Sequence, residues 1–399
     1  MTDQDHLNLM IVAGEPSGDA HASALATDLK TSTAGNAELK FFGATGPLMR
    51  AAGVESVVQS DDLAILGLLE IGRALPKFWK AYEALKQAAL DRKPDAVVLV
   101  DWPDFNFRLA RTLHAHGLKI IYYISPQLWA WRSHRVRNIK RDVDLLLAIL
   151  PFEPGWYAAR GVDHVEFVGH PLAGQVRPRY GRDEFCKRHR LDSNRPIVSL
   201  LPGSRRNELQ RILPPMLDAA LALSRKSGGI QFVLVIAPSR SAQEAEQIIS
   251  ARSDAAELLE LLTVVQQETR EALGASDAAA IASGTATVEA ALLGTPMVIV
   301  YKESGINWHT LGRLITAEHF GLVNLIAGER LVTELMQNDL NGDHLAIEIR
   351  ALLDPKRNKE LRHSLDRITS QLGNGGASRR AAERILEAVR EWNSAKSHA

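Results

Sequence analysis

Cysteine is almost absent: Cys186 is the only one in 399 residues, so no intramolecular disulfide can form. A reducing compartment is the expectation, and Cys186 reads as a small buried apolar residue. Net charge is absent too, with 47 Lys and Arg against 47 Asp and Glu, which excludes the basic excess of a nucleic-acid-binding protein. No Cys/His spacing resembles a zinc site. Long hydrophobic runs are also missing. The first, LNLMIVA, stops at Gly14 and Glu15 and follows two aspartates where a signal peptide carries Lys or Arg, so nothing here directs export. The most apolar later stretch, Leu63 to Leu75, is shorter than the roughly 20 residues of a spanning helix and contains Glu70 and Arg73. The chain is therefore expected to be soluble or, at most, peripheral to a membrane. Several catalytic signatures are lacking: there is no GxGxxG, no HExxH, no GxSxG elbow and no triad-like histidine spacing. His170 reads as a hinge or core histidine.

What the chain does contain is β-type runs, bounded by Gly, Pro or Asp, alternating with helical patterns. LMIVAG, LKFFGA, AVVLVD, KIIYYI, DLLLAIL and VEFVG form a first series; PIVSLLPG, QFVLVIA, LLTVV, DAAAIAS and PMVIVY form a second. Near-continuous apolar strands of this kind belong to parallel sheets covered on both faces. The expected fold class is α/β with two successive Rossmann-like domains, residues 1–172 and 173–355, joined by an Arg-rich linker near 170–195. A helical tail over 356–399 is expected to pack back on the body.

Several strand ends carry residues fit for chemistry. The first strand runs into Glu15, Ser17 and Gly18, either a helix cap with a tight turn or a loop facing substrate. The second ends Gly43-Ala44-Thr45-Gly46, without the acid that would bind an adenosine ribose, which disfavours a nicotinamide cofactor. Asp101 and Asp104 follow the strand AVVLV; a carboxylate aimed by the next proline could take a proton from a hydroxyl, and Asp101 is preferred because Asp104 suits a helix cap. Two tryptophans, Trp129 and Trp131, precede Arg132, Arg135, Arg137, Lys140 and Arg141, a basic helix that is either a solvated face or a site for a phosphorylated or membrane-surface ligand. Asp142-Val143-Asp144 matches a DxD metal signature but precedes a strand instead of ending one, so no metal is assigned. In the second half, Gly203, Ser204 and Arg205 open a helix after one strand, and Ser283, Gly284 and Thr285 open another, with Glu289 a turn further on. Small residues let backbone N–H groups approach a phosphate, a guanidinium can neutralise a diphosphate, and Glu289 could bond a ribose diol.

The segments AGEPSGD, DWPDFN, YYISPQLWAWR, LPFE, FVGHPL, LLPGSR, SGTATVEAALLGTPMV and NLIAGERLVTELMQ, over about residues 8–340, resemble in order and separation those of the lipid-A-disaccharide synthases. The resemblance implies the GT-B glycosyltransferase architecture, two Rossmann-like domains facing a cleft, the first holding the acylated acceptor and the second the UDP-sugar. It implies an inverting hexosyl transfer in lipid A biosynthesis. UDP-2,3-diacylglucosamine and 2,3-diacylglucosamine 1-phosphate would give a β-1,6-linked disaccharide 1-phosphate and UDP, at the anionic cytoplasmic face of the inner membrane. No metal or redox cofactor is implied. Residue by residue, Asp101 falls on the catalytic aspartate, Arg205 on the essential arginine, Glu289 on the ribose carboxylate and Asn324 on an asparagine near the donor. Pro16, Val323 and Thr333 depart from the family pattern. A homo-oligomer is compatible with the resemblance. A sugar-nucleotide 2-epimerase of the same fold and a non-enzymatic glycolipid-binding module are the alternatives; the first expects a histidine and acidic cluster that is not evident, the second has no use for a strand-end aspartate.

Overall fold

The computed structural model describes residues 6–33, 38–62, 71–226, 228–303 and 319–397. Two compact units divide the chain, Met1–Pro171 with Asn374–Ala399, and Leu172–Gly373. Among the described residues the first unit holds seven strands: β1 (His6–Ala13), β2 (Glu38–Thr45), β3 (Glu55–Gln59), β4 (Ala96–Val100), β5 (Ile120–Tyr123), β6 (Leu145–Ala148) and β7 (Val165–Phe167). They pair in parallel in the order β3-β2-β1-β4-β5-β6-β7. The second unit holds β8 (Ile197–Leu201), β9 (Gln231–Ile236), β10 (Leu262–Gln266), β11 (Ala278–Ala282), β12 (Met297–Tyr301) and β13 (Glu334–Met336), parallel in the order β10-β9-β8-β11-β12-β13.

Helices on both faces explain the composition of the central strands. Every residue of β4, β8 and β11 is buried, so no polar alternation survives in them. Successive side chains feed opposite cores: Leu9, Ile11 and Ala13 point to one cluster, Met10 and Val12 to the other. The two strands not expected from sequence, β3 and β13, are short edge strands whose sequences ESVVQ and ELM carry too few apolar residues to signal a sheet.

The two tail helices divide between the units. Helix Pro355–Thr369 belongs to the second unit, where the Arg362 guanidinium donates to the carbonyls of Gly294 (2.9 Å) and Ser276 (3.0 Å). The chain then passes Gly373, Gly375 and Gly376, at φ of 89°, 88° and 69°, values that glycine adopts without strain. Helix Ala377–Ser397 joins the first unit instead. Its Ala381, Ala382, Ile385, Leu386 and Val389 pack into the core of Leu9 and Ile11, beside helix Pro16–Thr33. Arg384 Nε donates to both carboxylate oxygens of Glu166 at 2.9 Å, and Arg380 Nε to the Val168 carbonyl at 2.8 Å. The apolar face of this helix completes a core on the sheet face that helix Pro16–Thr33 also covers.

In each sheet the strand order reverses once, between β1 and β4 and between β8 and β11. Ala13 lies beside Val100 in the first sheet and Leu201 beside Ile281 in the second. The loops that follow these strands diverge to opposite faces and leave a crevice at the carboxyl ends, the place where doubly wound sheets bind ligands.

The buried carboxylate of Asp19 ties the loop after β2 to this region. It accepts N–H bonds from Leu48 and Met49, both at 2.9 Å, where helix Pro47–Ala51 begins. Asp19→Ala leaves both donors unpaired, and urea unfolding should show a loss of about 2 kcal/mol. An unchanged midpoint would assign the carboxylate no structural role.

Candidate active site

At the switch point of the first sheet, Gly14 ends β1 beneath the Trp102 indole. A Cβ there would lie 1.9 Å from the ring, so only glycine lets the two loops close on each other. Glu15 and Ser17 are exposed and Gly18 is buried. Helix Pro16–Thr33 starts with the Asp19 N–H donating to the Glu15 carbonyl (2.8 Å), which puts Ser17 inside the first turn and not at the cap.

Asp101 and Trp102 both adopt left-handed backbone, φ 49° and 50°. Such residues cost roughly 1–3 kcal/mol each and persist where neighbours hold them. Here the Asp101 carbonyl accepts from Tyr122 Oη (2.7 Å) and Asn106 Nδ2 (2.6 Å). The Trp102 ring stacks on Phe105 at 4.0 Å. Burial, and then the negative charge of Glu15, push the Asp101 carboxyl up to about 6. Asp104 is different: its carboxylate is 69% exposed and bound by Arg132 (3.3 Å) and Arg135 (2.5 Å). Of the two aspartates, Asp101 has the surroundings of a proton acceptor that works near neutral pH.

The same ion pairs revise the basic segment. Arg132 and Arg135 are held by Asp104, whereas Arg137 and Lys140 are exposed. Trp131 is 41% exposed, but Trp129 is buried, donating to the Glu153 carboxylate at 3.2 Å. Asp142 is bound by Arg141, and Asp144 by Lys119 and the Ile120 N–H, so both carboxylates of the DxD tripeptide serve the fold. His170 is buried, with its pKa pushed down to about 4 mainly by that burial. Leu63 to Glu70 lie outside the described residues, and of Ile71 to Leu75 only the backbone is described, as the start of helix Ile71–Arg92.

At the switch point of the second sheet, Gly203, Ser204, Arg205, Ser283, Gly284, Thr285 and Glu289 line one cavity of about 340 Å³. The loop after β8 opens helix Arg206–Lys226 and the loop after β11 opens helix Thr285–Leu292, so two helix N-termini meet in it. Its apolar wall comes from Leu201, Val235, Pro238 and Ile281. Glu289, with its side chain 17% exposed, accepts from Arg270 Nε at 2.9 Å through Oε1. Arg270 also donates to the Gln175 carbonyl at 3.3 Å. The arrangement offers N–H donors and a guanidinium to phosphates and an oriented carboxylate to a diol.

Asn324 does not line this cavity. Its side chain is fully buried, Nδ2 donating to the Val332 carbonyl (2.9 Å) and Glu334 (2.8 Å), Oδ1 accepting the Val332 N–H (2.9 Å). With these bonds made inside the protein, Asn324 fastens helix Leu322–Ala327 to β13. Three groups escaped the reading of the sequence: Arg270, which lies 19 positions from its partner, and the Tyr122 and Asn106 pair that clamps Asp101. Asn106 carried the one available signal, as the last residue of DWPDFN.

The Asp101 carboxyl should titrate in ¹³C NMR with a midpoint near 6, being protonated and unable to accept a proton below it. Glu15→Gln removes the neighbouring charge and should move the midpoint down. A wild-type midpoint near about 4, the ordinary carboxylate value, would overturn the argument.

A family model for lipid-A-disaccharide synthetase matches residues 9–389. The lipid-A-disaccharide synthase of Geobacter sulfurreducens is 42% identical over 388 residues, covering 97% of this chain and 98% of that protein. That of Myxococcus xanthus is 40% identical over 381 residues, covering 95% and 97%. Among solved structures, the UDP-GlcNAc 2-epimerase of Neisseria meningitidis bound to UDP-GlcNAc is similar with a TM-score of 0.60 at 13% identity, covering 96% of this chain and 100% of that one. The calicheamicin glycosyltransferase CalG4 is similar with a TM-score of 0.58 at 17% identity, covering 97% and 98%. At these identities the likeness shows the fold, that of the GT-B glycosyltransferases. With the match running through nearly every described element, the chain belongs to the lipid-A-disaccharide synthase family, glycosyltransferases of lipid A biosynthesis.

Proposed function

We propose that this protein transfers the sugar of UDP-2,3-diacylglucosamine to the 6-hydroxyl of 2,3-diacylglucosamine 1-phosphate, giving a β-1,6-linked disaccharide 1-phosphate and UDP. The observation that carries this reading is Asp101, a strained strand-end aspartate whose affinity for a proton is raised to the neutral range. Asp101 takes the proton of the acceptor hydroxyl as its oxygen attacks the anomeric carbon from the face opposite UDP. The bond from that carbon to the diphosphate breaks, its electron pair leaving with UDP. Negative charge grows on the leaving diphosphate, and the Ser204 N–H, the Arg205 guanidinium and the loop after β11 stabilise it. Glu289 accepts hydrogen bonds from the ribose diol, its other oxygen fixed by Arg270. Glu15, beside Asp101, keeps the base from being too weak to accept a proton.

Both substrates carry acyl chains and partition into a bilayer. No helix among the described residues is long and apolar enough to cross one. We therefore place the protein on the anionic cytoplasmic face of the inner membrane, held through Trp131, Arg137 and Lys140.

Purified protein given both acylated sugars in excess EDTA should release UDP and disaccharide in equal amounts. UDP release without acceptor would indicate hydrolysis, and activity lost in EDTA but restored by Mg²⁺ would overturn the assignment of the leaving charge to Arg205 and backbone N–H groups. Asp101→Asn should lower kcat by about 10²- to 10⁴-fold and leave UDP affinity unchanged; a fully active variant removes Asp101 as the base.

Membrane attachment is tested with vesicles containing anionic lipid. Each cation near such a surface contributes about 1 kcal/mol, so Arg137→Ser with Lys140→Ser should weaken low-salt binding by roughly 30-fold. Binding equal to wild type would make the segment an ordinary solvated face.

A further inference from the structure

The loop assigned to the diphosphate already holds an anion, supplied by the protein itself. Glu208, third residue of helix Arg206–Lys226, folds back over Gly203. Its Oε2 accepts the N–H groups of Ser204 (2.9 Å) and Arg205 (3.1 Å), and its Oε1 accepts from the Arg205 guanidinium (3.0 Å). A Cβ at Gly203 would sit 2.4 Å from Oε2, so the carboxylate fills the space that a side chain at that position would take. Glu208 lines the same cavity as the two phosphate loops and Glu289.

We propose that Glu208 is a resident stand-in for the donor's diphosphate: it occupies the anion cradle when the site is empty, leaves when a nucleotide diphosphate enters, and returns as the product departs. The proposal rests on the nucleotide reading given above. Each N–H makes one good hydrogen bond, and a carboxylate and a phosphate oxygen repel each other within the same few ångströms, so the cradle holds one anion at a time. Release costs little rearrangement, because Leu209 and Ile212 anchor the helix in the core while the Glu208 side chain turns about its own bonds. Until then Arg205, 82% exposed and otherwise free to point into solvent, stays folded onto the loop. The internal anion competes equally with UDP-sugar and with UDP, so it weakens product binding as well as substrate binding and favours turnover.

A plain helix cap would keep Glu208 in place, and the two roles differ in sign. Glu208→Gln preserves shape and an acceptor oxygen but removes the charge. UDP and inorganic pyrophosphate should bind about tenfold more tightly to this variant by calorimetry, the difference between a charged and a neutral acceptor, with uridine affinity unchanged. UDP binding that is weakened or unaltered overturns the stand-in. A second measurement needs no variant: in wild-type protein the ¹³C-carboxyl signal of Glu208 should shift when UDP is added and stay still with uridine. No shift with UDP also overturns it. Wild-type protein that binds neither UDP nor uridine refutes the nucleotide reading itself, an outcome distinct from both.

Discussion

The reversal of strand order in each sheet is the constraint on which the rest depends. A right-handed crossover from β1 to β2 and the later one into β4 lead to opposite faces, so two neighbouring strands end with no helix bridging their carboxyl ends. Backbone N–H groups at the following helix starts are left without partners inside the helix and face the opening. The same arrangement recurs between β8 and β11. Three of the loops at these ends carry candidate groups: a carboxylate after β4, small residues and an arginine after β8, and small residues with a carboxylate a turn later after β11.

Carboxylates take four different tasks in these loops, and their surroundings decide which. Asp101 sits in a partly desolvated spot near another negative charge and holds a proton more readily than usual. Glu289 is oriented by Arg270, whose Nε donates to its Oε1. Asp19 is consumed by two backbone donors and serves the fold. Asp104, exposed and flanked by arginines, joins a surface pair whose contribution to stability is small. Residue type alone distinguishes none of them.

Much of the architecture was legible in the sequence, because strands buried on both faces must be apolar throughout, as AVVLV and AAAIA are. Strand-end loops were legible for a related reason, since small or acidic residues interrupt those runs abruptly. Edge strands β3 and β13 lacked such a pattern. Long-range pairing was invisible: nothing in QQETREA announces that Arg270 meets Glu289, and nothing around Asn324 distinguishes a ligand contact from an internal clasp. The division of the tail was hidden as well. Two consecutive amphipathic helices look alike until the face each one covers is known.

The C-terminal helix gives the first unit a long wait during synthesis. Its sheet is complete once β7 has left the ribosome, yet the helix that completes the core on one face, beside helix Pro16–Thr33, is encoded beyond Gly373. At about 5–20 residues per second, the intervening 172–373 segment takes roughly 10 to 40 s to make. During that interval the part of the apolar core that the last helix covers, beside helix Pro16–Thr33, lacks that cover, while the second unit, continuous in sequence, can fold as it emerges. The first unit's core is therefore finished only after the second unit has been made, an order that the finished protein no longer shows.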